Sequence, residues 1–323
     1  MRCAADGSVL RLQAAGCRAM AAKRILHRME VRLKSIDSAA RGLLRPADST
    51  DESAEILINR FWELYRQLAA VPSLEPSDYV TTLFAEVVEL CVSRQPEVVV
   101  ERALRDPRMV ELRPHFCRLC ADHIFREERA WSQRISTSPD PWAELLHCPN
   151  YCNYVQLCDV EIHAVVALIG RTPQRLLFAG SGPVPITSVL FVNGFQLEVD
   201  NLEVDREAFD LGRHLVRQLD KAENMGFIHS DVRDFTDLEV YDVVCLAALV
   251  GLSPEEKREI TAHLSRHMRS DALLLVRSAH GLRSLIYPPV AIEDLVGFVP
   301  QLVLRPYTTV MNSVLIAKPR YPS

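Results

Sequence analysis

Apolar residues recur every three or four positions through the first half of the chain and gather in short blocks through the second. The change falls near residue 170. Upstream, Ile56, Ile58, Phe61, Leu64, Tyr65 and Leu68 mark one stripe, and Leu83, Val87, Val88, Leu90 and Cys91 another. That is helical spacing. The prolines of VPSLEPS, RQPEV, RDPRM and STSPDP divide it into separate helices. Downstream, strands are predicted at RLLFAG (175–180), QLEVD (196–200), GFIHSD (226–231), YDVVCLAAL (241–249) and ALLLVRS (272–278), with QLVLRP and SVLIAK closing the chain. Between them lie the amphipathic helices PITSVLF, DREAFDLGRHLVRQL and SPEEKREITAHLSRHM. Strands that alternate with helices predict an α/β class with a mostly parallel sheet and right-handed crossovers, here five αβ units. The last two strands follow one another closely enough to form a hairpin, which places an antiparallel strand at the edge. The division expected is a basic extension over 1–50, a helical domain over 51–170 and an α/β domain over 171–323.

Composition narrows the functional classes. With 323 residues, 48% hydrophobic and 24% charged, the chain can bury one large core or two modest ones. A net charge of −5 argues against a nucleic-acid partner, which selects a basic face. No uninterrupted apolar run approaches the ~18 residues of a membrane span. Charge is uneven: residues 1–45 carry ten Lys or Arg against three acids. Such a start suits an organelle transit peptide, but a frayed or disordered basic helix, or a true start at Met20, is the plainer expectation. Nine cysteines with no sign of secretion point to reduced thiols and a cytoplasmic setting. Cys117 and Cys120 have CxxC spacing between His115 and His123, but Cys148, Cys152 and Cys158 are wrongly spaced to complete a zinc site. They read as packed helical cysteines, and no metal site is expected.

The candidate chemistry begins at FAGSGPVPITSVL, residues 178–190. In an α/β sheet the ligand lies across the carboxyl ends of the strands, where the first strand–helix turn meets it. Gly180, Ser181 and Gly182 suit a tight turn with close backbone approach. A dinucleotide would also need free N–H groups at the next helix start to hold its pyrophosphate, and Pro183 and Pro185 remove two of them. A ligand with an adenosine but no phosphate loses nothing, and S-adenosylmethionine (SAM) is one. Asn201 and Glu203 follow the second expected strand, where polar groups bind ribose hydroxyls; Asp200 competes with them for that role. Asp231 ends the third, placed to accept from an adenine amine. The sheet is therefore read as Rossmann-type and SAM-methyltransferase-like.

Further residues carry a more specific resemblance. GSGPVPITSVL, DNLE, YDVVCLAALVGL, LLLVRSAHGLRSLIYPPV and the closing NSVLIA resemble nicotianamine synthases, as do VPSLEPSDYVTTLFAEVVELCV, RLCADHIFREE and NYCNYVQL upstream. The likeness covers roughly residues 60–318. It implies an enzyme that condenses SAM with itself: one molecule gives its 3-amino-3-carboxypropyl (aminobutyrate) group to the α-amine of another and leaves as 5′-methylthioadenosine. Three SAM and one azetidine closure yield nicotianamine, a chelator of iron, nickel, copper and zinc. SAM is then a substrate, no true cofactor is implied, and the protein itself need hold no metal. The family pattern places its catalytic glutamate and tyrosine at Glu128 of FREE and Tyr154 of NYCNY. Glu128 is expected to accept a proton from the attacking amine, with Tyr154 orienting it. Read from the residues alone, FREER is a charge run on a solvated face. Arg277, Ser278 and Tyr287, at and after the end of the fifth strand, are candidate substrate-binding residues, Arg277 as a bidentate partner for the aminobutyrate carboxylate. Asn312 and Ser313 are assigned to the closing hairpin. Where plant members have a more aromatic run, this chain has HCPNYCNY, so the pocket for the growing chain is expected to differ.

Three alternatives share these residues. One is a transferase that moves aminobutyrate to another amine, such as histidine, in opine-metallophore assembly. Another is an ordinary SAM methyltransferase, and the third an inactive SAM-binding module. Beyond the small-molecule substrate, no nucleic acid or membrane partner is expected, and a homodimer stays open.

Overall fold

The computed structural model describes residues 50–220, 222–306 and 309–320; the basic extension expected over 1–50 lies, apart from Thr50, outside the described residues. Six helices come first: α1 (Thr50–Ala69), α2 (Asp78–Val92), α3 (Glu97–Arg105), α4 (Pro107–Ser136), α5 (Pro141–Leu146) and α6 (Tyr151–Ile169). The proline-bearing stretches break them as expected, and polar side chains cap the starts. Ser77 accepts from the Val80 amide, Asp106 from Arg108 and Asp140 from Ala143. Gly170, with φ of 75°, closes α6 in the left-handed conformation.

The first four helices bury one core around Phe61, Leu64, Leu112 and Phe116. Leu282, Leu285 and Ile286, from the turn after the fifth strand, pack into the same core. Helices and sheet are thereby joined through shared apolar surface, which fixes α4 over the carboxyl end of the sheet. By length and composition α6 is apolar enough to cross a membrane. Its Val155, Leu157, Ile162 and Val165 pack instead with Leu176 and Phe178 of the sheet, as one of its covering helices.

The strands are β1 (Arg175–Ala179), β2 (Glu198–Glu203), β3 (Met225–His229), β4 (Val243–Leu246), β5 (Leu273–Ser278), β6 (Phe298–Leu304) and β7 (Ser313–Pro319), in spatial order 3-2-1-4-5-7-6. β1 to β5 are parallel. Alternate residues of β1 serve opposite faces. Leu176 and Phe178 meet α6 and α7 (Ile186–Phe195), while Leu177 and Ala179 join the core beneath α9 (Pro254–His267). α8 (Arg206–Gln218) lies on the α7 side through Leu215 and Val216. The chain reverses its spatial direction between β1 and β4, the position at which open sheets of this type leave a crevice.

Three details differ from the expectation. β2 continues to Glu203, so Asn201 and Glu203 lie within the strand. The β3–β4 connection forms only turns, so that crossover has no helix. The closing hairpin is present, but the strand that runs against the rest, β7, lies between β5 and β6. Burial gives the reason. β7 is buried along both faces except at Lys318, whereas β6 alternates buried and open positions and suits the edge.

Asp242 ties the opposite end of the sheet together. Its carboxylate accepts from Arg171 Nη2 at 2.7 Å, Arg269 Nη2 at 2.8 Å and the Gln174 amide at 2.6 Å. Burial opposes its ionisation, but these bonds outweigh burial and hold the carboxyl far below the usual carboxylate range. A depressed folded-state pKa stabilises above the unfolded value and is lost as pH falls through the folded one. Asp242→Asn is expected to lower the unfolding free energy by about 1–3 kcal/mol at pH 7. The gap to the unsubstituted protein should narrow below the unfolded value of 3.8, read by denaturant titration at pH 7 and pH 3.

Candidate active site

The turn after β1 is built for close approach. Gly180 and Gly182 have φ of 81° and 67°, a region that side chains disfavour. The Gly180 amide donates to the Leu202 carbonyl at 2.8 Å, and the Gly182 amide to Glu203 Oε2 at 2.9 Å. Pro183 and Pro185 remove further donors before α7 starts at Ile186. The turn therefore offers little to a phosphate, and it lines a cavity of about 400 Å³ at the carboxyl ends of the strands. Ser181 lines the cavity too, with a buried hydroxyl that has no hydrogen-bond partner among the described residues.

The structure separates the three rivals on β2. Glu203 lines the cavity, and its Oε1 accepts from the Val204 and Asp205 amides at 2.9 and 3.0 Å. Asn201 does not belong to the site. It is fully buried, its Oδ1 accepting from the Ser188 hydroxyl at 2.5 Å and its Nδ2 donating to the Gly226 carbonyl at 3.2 Å. Asp200 is turned away as well, bonded to Arg175 and the Tyr241 hydroxyl. Asp231 lines the cavity and is held by Arg233, whose Nη2 lies 2.6 Å from Oδ2.

α4 forms the roof. Ala121, Ile124, Phe125 and Glu128 share one face and line the cavity. Arg126 and Arg129 turn the other way, onto Glu75 at 2.8 and 2.5 Å. The FREER run is thus divided between two faces, one solvated and one over the site. A Cβ added to Gly182 would lie 2.6 Å from Glu128 Oε2, so the carboxyl rests directly on the glycine turn. Burial pushes Glu128 up to about 8; the charges of Glu127 and Glu203 act in the same direction, and a hydrogen bond from Tyr154 opposes them. Burial and the nearby Glu128 also raise the Tyr154 phenol well above its ordinary value, so it stays protonated and donates. Tyr287 lines the same cavity, its phenol raised by burial and by Glu128.

The remaining substrate candidates divide. Arg277 lines the cavity beside the rings of Tyr154 and Phe178, at 5.7 and 5.2 Å. Its fork is already occupied: Nε and Nη2 donate to the two oxygens of fully buried Glu161 at 2.7 and 2.8 Å. It is therefore held as part of the floor and does not present a free clamp. Ser278 lies outside the cavity lining, its hydroxyl accepting from the Val290 amide at 2.8 Å. Asn312, assigned to the hairpin, does line the cavity, while Ser313 bonds His280. Sequence reading also missed Glu161 and the loop Ala247–Leu252, which closes one side. The signal for α4 was available in the spacing of Ala121, Ile124, Phe125 and Glu128. Cys117 and Cys120 are buried among the helices, as packed cysteines should be.

Comparison with known proteins identifies the family. A family model described as nicotianamine synthase protein matches residues 50–322. The chain belongs to the nicotianamine synthase family. It is 38% identical to nicotianamine synthase 9 of Hordeum vulgare over 272 residues, 82% of this chain and 79% of that one. With nicotianamine synthase 2 of Arabidopsis thaliana it shares 34% identity over 269 residues, 81% and 83% of the two chains. Among solved structures, a point mutant of MtNAS aligns with a TM-score of 0.73 at 23% identity, covering 82% of this chain and 98% of that one. MtNAS in complex with MTA and tNA aligns with a TM-score of 0.71 at 22% identity, covering 83% and 97%. At those identities the two structures speak for the fold.

Two predictions test the nicotianamine synthase site as built. Gly182→Ala forces a methyl group against Glu128 at a positive φ, and is expected to lower stability by about 1–3 kcal/mol and to weaken SAM binding, measured by calorimetry. A buried carboxyl raised from 4.5 to about 8 makes the folded state lose stability as pH rises between those values. Glu128→Gln removes that penalty, so its Tm should gain on the unsubstituted protein from pH 5 to pH 8.5; a constant difference would place Glu128 in a solvated setting.

Proposed function

We propose that this protein is a nicotianamine synthase in which Glu128 is the base and the glycine turn carries the adenosyl group. The observation that supports this reading is the contact of the Glu128 carboxyl with Gly182, which puts a raised-pKa acid against the backbone that would meet the ligand. The α-ammonium of one SAM must lose a proton before its nitrogen can attack the chain carbon beside the sulfonium of another. The new N–C bond forms as the C–S bond breaks, the sulfur keeps the bonding pair as methylthioadenosine, and the proton passes to Glu128. Near neutral pH the empty site holds Glu128 largely protonated. The approach of a sulfonium or ammonium cation lowers its pKa and frees the carboxylate where a base is required. Tyr154, a fixed donor, aims that carboxylate. Glu203 and Asp231 suit the ribose hydroxyls and the adenine amine, and Tyr287 and Asn312 border the amino-acid end. In this reading the helices over 51–170 act as the roof and the α/β part over 171–323 as the cradle. Reduced cysteines fit a cytoplasmic enzyme, and SAM is substrate, with no added cofactor in the chemistry.

The test is the purified protein incubated with SAM alone and followed by mass spectrometry. Nicotianamine and methylthioadenosine are the expected products. S-adenosylhomocysteine would mark a methyltransferase, and turnover only after another amine is added would mark the opine-type transferase. Glu128→Gln is expected to cut turnover by a factor of about 10²–10⁴. SAM affinity should fall by far less than turnover, since the amide keeps the shape of the acid and gives up only its charge toward the bound cation. Full activity in this variant would remove Glu128 from the mechanism.

A further inference from the structure

Lys257, on the first turns of α9, is 2% exposed. Its ammonium donates to the carbonyl of Val250, in the loop Ala247–Leu252 that lines the cavity. The same loop is tied to the helix start by Glu256, whose Oε2 accepts from the Leu252 amide at 2.7 Å and from Ser253 at 3.2 Å. Among the described residues no carboxylate forms an ion pair with Lys257. The two acids whose charges act on it are engaged elsewhere, Asp294 by Arg258 at 2.9 Å and Glu256 by the Leu252 and Ser253 amides. Burial lowers the Lys257 ammonium to about 8, with Asp294 and Glu256 opposing. A residue this costly to hold away from water is not needed for packing, since methionine has the same reach. What the ammonium does reach is one side of Val250. The other side of that residue bears on the site: a Cβ added to Gly180 would collide with Val250 Cγ2 and lie 3.2 Å from Ala247 Cβ.

We propose that Lys257 is a positioning residue for the adenosyl end of the site: by holding the Val250 carbonyl, it presses the Val250 side chain onto Gly180 and sets the gap between the loop and the glycine turn. This rests on SAM being the ligand, and it locates control of ligand fit outside the groups that touch the reacting atoms. A loop fixed by a hydrogen bond on one side and by contact with a glycine on the other has little freedom. Releasing the bond lets Val250 move away from the turn, and the nucleoside loses a wall. The roof, with Glu128 and Tyr154, is untouched.

The experiment is Lys257→Met beside the unsubstituted protein, with binding of SAM and of 5′-methylthioadenosine by calorimetry, steady-state kinetics with SAM, and Tm. Affinity for both ligands and KM for SAM are expected to worsen about tenfold, the equivalent of one hydrogen bond lost from the wall. The rate at saturating SAM should stay within about threefold, and Tm should be unchanged or higher because a buried charge has gone. A merely structural lysine would instead lower Tm and affinity together. Val250→Ala acts on the same contact, should give the same split, and should add little to Lys257→Met in the double variant; it also keeps the idea testable if the first variant folds poorly. Unchanged KM and affinity in both variants, or a fall in saturating rate equal to the fall in kcat/KM, would overturn the proposal. If the unsubstituted protein binds no SAM, it is the functional reading that fails.

Discussion

Glu128 can rest on the glycine turn only because residue 182 has no side chain and its backbone passes through a positive φ. That contact constrains the arrangement around it. To bring a carboxyl from α4 to the end of β1, the helical core must lock onto the sheet, and it does so by sharing Leu282, Leu285 and Ile286 with the turn that follows β5. Tyr287, the next residue along, is thereby carried to the cavity wall. Thiols reinforce the same seam: Cys91 lies 3.2 Å from the Leu282 carbonyl and Cys117 3.4 Å from that of Ser284. Gly212 plays the corresponding part beneath, where a Cβ would stand 2.9 Å from the Gly182 carbonyl, so α8 too can close on the turn.

The second organising force is a surplus of acidic side chains facing inward. Glu128, Glu203, Asp205, Asp231 and Glu256 border the cavity, while its two arginines are committed to partners, Arg233 to Asp231 and Arg277 to Glu161. Glu203 is also pinned by three backbone amides, Gly182, Val204 and Asp205, which hold a carboxylate in place without neutralising it. Such a wall favours a cation over an anion of the same shape. The missing phosphate donors and the surplus carboxylates therefore select in the same direction, one through geometry and the other through charge.

Much of the fold could be read from the chain because its signals are local. Period-3.6 stripes, prolines at helix breaks and a glycine pair after an apolar strand each report on a few neighbouring residues. The site was legible only in part, because its decisive relations span long separations. Asn201 was assigned to the ligand on the premise that β2 ended at residue 200; the strand runs to Glu203, and Asn201 turns into the sheet beneath Ser188. Glu161 gave no signal, since a lone glutamate in a helix reads as solvated and its partner Arg277 lies 116 residues away. Glu128 shows the same limit from the other side: its run reads as an exposed charged face, and only family resemblance singled it out before α4 was seen to divide that run between two faces.

The acidic wall also bears on how a turnover ends. In the proposed reaction the donor arrives as a sulfonium and departs as an uncharged thioether, so the attraction that drew it in disappears at the moment the bond to sulfur breaks. The growing chain keeps its protonated nitrogens and with them its hold on the carboxylates. The same lining would then discharge the spent nucleoside and retain the intermediate, giving the repeated condensations a direction without a moving part.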